Sequence, residues 1–124
     1  MRWHRAPRSG GQATVELALC LPFACLFLLA AVQLGLIVRD QLAVVAAARD
    51  GARAAAVAAD PAAAAGRAAR AAVALAPLDV GVSAADRLVD VHVRYVSRTD
   101  VPLIGALLPD VTLEASSTMV VEPP

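Results

Sequence analysis

Residue types able to act on a substrate are few in this chain, and their spacing decides what each could do. The histidines are His4 and His92, and the cysteines are Cys20 and Cys25. A nucleophile needs a partner base within hydrogen-bond reach. His92 falls in an alternating run, Val89, Val91 and Val93 against Asp90, His92 and Arg94, which puts it on the polar face of a strand. Ser116, Ser117 and Asp110 are close in sequence, but no Gly-x-Ser-x-Gly turn surrounds either serine. Five residues at 100° each place Cys20 and Cys25 about 140° apart on a helix, so they read as small apolar side chains. There is no glycine-rich phosphate loop and no metal-ligand spacing. The expectation is a non-enzyme with no cofactor, no metal and no small-molecule substrate.

One further spacing stands out. It is Gly10-Gly11-Gln12-Ala13-Thr14-Val15-Glu16, followed by the apolar run 17–38. Those 22 residues form a helix of roughly 33 Å, close to the hydrocarbon thickness of a bilayer. Ahead of the glycines lie Arg2, Arg5, Arg8 and His4 with no acid among them. A glycine at a scissile bond suits a cleft too tight for a Cβ. Basic leader, Gly11, four residues, Glu16, apolar helix: this order is similar to that of type IV prepilins. The resemblance implies a cut between Gly11 and Gln12, which leaves Glu16 as the fifth mature residue.

The elements that position these residues follow from the pattern. A secretory signal peptide has a shorter apolar region, and Ala30-Ala31-Val32 offers no clean Ala-x-Ala ending. The reading is therefore a single span over 17–38, behind an unstructured leader at 1–11. The basic leader puts the N-terminus in the cytoplasm and the C-terminal domain outside. Pro22 removes one backbone hydrogen bond within the span. Ala31 and Gly35 are four apart and open a close approach for another helix. Gln33, the polar exception in the span, either bonds a partner helix or snorkels to the interface.

From Asp40 to Ala59 the chain is rich in alanine, with no proline and one glycine, so the helix is expected to continue over 12–59. Ala47, Gly51 and Ala55 make a second small-residue seam. Asp60-Pro61 restarts a helix, with Asp as the cap and Pro at the first helical position, and this helix is expected to run to about Leu75 before Pro77. Two alternating runs, 88–97 and 111–121, read as an antiparallel pair of strands. Between them, the apolar stretch 102–109 is bracketed by Pro102 and Pro109. It is expected to cover a thin core, the alternative being a contact surface. The fold class is α+β and membrane-anchored: a long helix leading into a small helical and two-stranded domain at 60–124.

Net formal charge is zero, but three of the eleven arginines lie in the leader, leaving eight against eleven acids. That acidic remainder argues against a nucleic-acid partner. With 3% aromatics and no cysteine past residue 25, the domain must hold by aliphatic packing alone.

Two stretches carry a closer resemblance. Gly11-Gln-Ala-Thr-Val-Glu-Leu-Ala-Leu-x-Leu-Pro22 and Arg49-Asp-Gly-Ala-Arg-Ala-Ala-Ala56 resemble the TadE-like proteins, pseudopilins of the tight-adherence (Tad, or Flp) pilus system. The resemblance covers about residues 10–57. It implies cleavage by an aspartic prepilin peptidase and a role in pilus biogenesis, with other Tad pilins and the assembly platform as partners. Gln12 departs from the Phe or Met common at the first mature position of type IV pilins, which bears on N-methylation of that terminus. Flp major pilins are much shorter than this chain, so the resemblance leans to a minor or accessory subunit. The competing reading is a single-pass membrane scaffold unrelated to pili.

Overall fold

The computed structural model describes residues 10–121. The greater part of the basic leader, residues 1–9, lies outside them. The element order is α1 (Gly10–Ala56), α2 (Pro61–Ala72), β1 (Asp79–Ala85), β2 (Leu88–Ser97) and β3 (Val111–Val120). The α+β, membrane-anchored class is as expected, with one strand more.

Helix α1 runs unbroken for 47 residues and passes through Pro22. It begins at Gly10, so Gly10 and Gly11 are helical where the sequence suggested an unstructured leader. It is the one helix among the described residues long and apolar enough to cross a membrane, and none of its most apolar stretch is buried. Further along, Val44, Ala47, Ala48, Gly51, Ala52, Ala55 and Ala56 are all buried. The same helix is thus bare at one end and the spine of a core at the other.

Asp60 caps α2 as its sequence implied: the Asp60 carboxylate accepts from the Ala63 amide at 3.1 Å, and Pro61 opens the helix. The helix stops at Ala72, however, short of Leu75. Val73 is extended, and it and Leu75 pack, partly buried, against the core. A β-branched residue that can bury its side chain from an extended backbone has little reason to add a helical turn.

The sheet is an antiparallel meander in the order β1-β2-β3. Strands β2 and β3 pair from Leu88↔Val120 to Ser97↔Val111. Strand β1, from Asp79↔Arg94 to Ala85↔Leu88, is the addition to the two-stranded expectation. Its turn holds Asp86 and Arg87 at φ 49° and 68°, the paired positive values of a type I′ hairpin. Asn-Gly is the usual signal for that turn, so Asp-Arg gave no warning of it. Val89, Val91 and Val93 on β2 and Leu113 on β3 are buried against α1 and α2. The opposite face carries His92, Arg94 and Glu114.

Candidate processing and assembly site

Gly11 and Gln12 lie in the first turn of α1, where amides have no intrahelical acceptor. Both are exposed, and a Cβ built on Gly10 or Gly11 would meet nothing within 4 Å. Thr14 Oγ1 donates to the Gly10 carbonyl at 2.9 Å, which is the one side-chain bond tying down this turn among the described residues. Two adjacent glycines at a helix end unwind readily, so the bond between Gly11 and Gln12 can become extended at little cost.

Glu16 is exposed and makes no ion pair among the described residues. It stands six residues beyond Gly10, roughly 9 Å along the axis. That is past the first turn, which contains no acid, and past the reach of the N-terminal dipole. Glu16 therefore does not cap this helix. Gln12 and Glu16, four apart, share one helix face. From residue 9 to residue 38, Glu16 is the only charged side chain.

The three small residues picked out for helix packing have different surroundings. Gly51 is buried, and a Cβ there would sit 3.2 Å from Val91 Cγ1 and 3.3 Å from the Ala65 carbonyl oxygen. Here α1, α2 and β2 meet. Gly35 has nothing within 4 Å of such a Cβ, and Ala31 is exposed. At 100° per residue, Ala31 and Gly35 both lie about 200° round the helix from Gln33. They face away from the chain's own fold.

Two polar contacts between α1 and the sheet were not legible in the sequence. Ser97 Oγ donates to Asp40 at 2.8 Å, and Gln41 Nε2 donates to the Glu114 carbonyl at 3.2 Å. Both bonds join residues more than fifty positions apart, so no local spacing announces them. Across the sheet's outer face, Arg94 Nε and Glu114 pair at 2.6 Å, with His92 Nε2 3.8 Å from the same carboxylate. Both partners are about half exposed, and such cross-strand pairs contribute roughly 0.2–1 kcal/mol. Ser116 stands opposite His92 in the strand register, but no hydrogen bond joins their side chains among the described residues, and the cluster reads as a strand-pairing contact. No group of three or more His, Cys, Asp or Glu capable of holding a metal occurs among the described residues.

Residues 11–53 match the family model described as TadE-like protein. The match starts at Gly11 and ends in the Arg49–Ala56 stretch, and it bears out the resemblance drawn from those two segments. No curated protein and no solved structure matches the chain.

Proposed function

We propose, on the premise that the chain is TadE-like over residues 11–53, that it is a pseudopilin of a Tad (Flp) pilus system. A prepilin peptidase removes the leader after Gly11, in the membrane, and Gln12 becomes the new N-terminus. The chain stays anchored by its single span, N-terminus toward the cytoplasm and C-terminal domain outside. It then packs beside other pilins or pseudopilins of the same assembly platform.

The observation that carries this reading is the unbroken helix Gly10–Ala56 with Glu16 as its lone charge ahead of Arg39. An ordinary anchor needs no carboxylate at the start of its apolar face, where it is costly to bury. A subunit whose register is set by that carboxylate does. The bare face at Ala31 and Gly35 supports it, because it admits a neighbouring helix at close range.

The test is the N-terminal peptide of membrane-extracted protein, read by mass spectrometry in a host with the peptidase. The mature chain is expected to begin at Gln12. The variant Gly11→Asp should accumulate as full-length membrane precursor, whereas Gly10→Ala should mature nearly as well as wild type. Maturation of Gly11→Asp at Gln12 would refute the assigned cut. An intact N-terminus in the wild type would leave the plain membrane scaffold as the better reading.

A further inference from the structure

We propose that the 102–109 loop is a second membrane contact, seated in the headgroup and upper acyl region of the leaflet on the C-terminal side of the span. This rests on α1 being a membrane anchor, and goes beyond it.

Direction along the fold is the first argument. Strand β2 runs antiparallel to α1. Val91 packs at Gly51, Gln41 bonds the Glu114 carbonyl opposite Arg94, and Ser97 bonds Asp40. Each step along β2 is a step down α1 toward its apolar end. The chain continues the same way after the strand, since Val101 and Pro102 line a cleft with Leu36. Leu36 belongs to the apolar run 17–38. Asp40 lines the same cleft, so the loop begins level with the helix's polar boundary, where the apolar run ends.

Chemistry is the second argument. Residues 101–109 contain no charged side chain, while Arg98, Asp100 and Asp110 stand at the loop's neck. Val101 and Ile104 turn inward and are buried. Leu103 and Leu107 are each 69% exposed, and Leu108 is 49% exposed. In water these side chains would be an exposed apolar patch without a purpose. The backbone is prepared for a medium with few hydrogen-bond partners. Gly105 donates to the Val101 carbonyl, and Leu107 and Leu108 both donate to Ile104, each at 2.9 Å. The two prolines have no amide to satisfy. At the neck, the Thr99 amide donates to Asp110 Oδ1 at 3.1 Å and Thr99 Oγ1 donates to the Pro109 carbonyl at 3.2 Å. Gly105 passes so close to Thr99 that a Cβ would run into its carbonyl oxygen. A turn closed on itself in this way suits the interfacial region, where open backbone is penalised.

Gln33 is the third argument. It lies one turn below Leu36 and is 2% exposed, although its neighbours Val32 and Leu34 are 55% and 62% exposed. Neither atom of its amide has a hydrogen-bond partner among the described residues. In water an amide so enclosed would gain by being uncovered. At the height of a bilayer, uncovering it exchanges protein for hydrocarbon and gains nothing. The enclosure makes sense if lipid is the alternative.

The experiment uses the full chain in phosphatidylcholine–phosphatidylglycerol vesicles. Trp3, the one native tryptophan, is first replaced by Phe. Single tryptophans are then placed by Leu107→Trp, with Leu103→Trp as a second loop probe, Phe23→Trp as the span control and Val120→Trp as the aqueous control. Lipids brominated near the headgroup should quench both loop probes roughly twofold. Bromines near the chain ends should quench the Phe23→Trp protein best, and Val120→Trp should be unaffected. Loop probes that behave like Val120→Trp while the Phe23→Trp protein is quenched would overturn the loop contact and leave the anchor standing. An unquenched span control would overturn both. Blue-shifted loop probes that escape bromolipid, and lose the shift when diluted into excess lipid, would assign the surface to a second copy of the chain instead.

Discussion

Glu16 gains its significance from what the proposed cut does to its surroundings. In the uncut chain it sits inside the second helical turn, exposed and unpaired among the described residues. Removal of residues 1–11 would place a free amine on Gln12, one turn away on the same face. A carboxylate drawn against an apolar bundle is costly alone and much less so beside a cation. The amine of a neighbouring subunit would supply that cation and set the stagger between helices, and close charge pairs favour register more than raw affinity. The substitution Glu16→Leu is accordingly expected to insert and be cleaved normally, yet to be lost from pilus complexes recovered by shearing or cross-linking. Retention at the wild-type level would show that the charge sets no register here.

Among the elements, the two glycines at 35 and 51 make opposite demands. Gly51 is enclosed by Val91, Ala65 and Ala69, so Gly51→Leu should overpack the α1–α2–β2 junction and cost about 3 kcal/mol. Thermal unfolding of the detergent-solubilised chain measures this directly. Gly35→Leu has open space around it and should leave that transition unchanged, its effect confined to helix–helix association in the membrane. The sequence showed both as members of small-residue seams but could not say which seam the chain fills itself. Composition told the helical part well, because alanine density and the Asp60-Pro61 cap are local signals. Strands β2 and β3 were equally legible from their alternation. Strand β1 was not: Asp79–Ala85 offers Val80 and Val82 as its half-buried residues, and its hairpin rests on Asp86-Arg87. The family resemblance could be read because its two segments are linear. The loop's position beside Leu36 could not, since it depends on the direction of a strand across a distant helix.

At the scale of the whole molecule, the core joins alanines of two helices to a few valines and leucines, with no disulfide. Alanine buries little area per residue, so this core is small for the chain length it must order. The fragment 40–124 keeps the buried half of α1 but loses the span and everything below Asp40. It is expected to unfold with a broad, low-temperature transition by circular dichroism. A sharp transition at high temperature would show that the valine face of the sheet contributes more than its area suggests.

One consequence of the continuous α1 is mechanical. The helix that would cross the bilayer is the same rod that carries Val44, Ala47, Ala48, Ala52 and Ala55 into the core. There is no joint between membrane and domain at which motion could be absorbed. If the span leans by about 20°, the rise from residue 38 to residue 56 carries the far end of the rod roughly 9 Å sideways. Conversely, a lateral pull on the sheet would be delivered along the rod toward Glu16, with Pro22 the one position in between where a backbone hydrogen bond is missing. A rod that transmits load in this way lets the packing of the outer domain and the stagger at the inner end answer to each other.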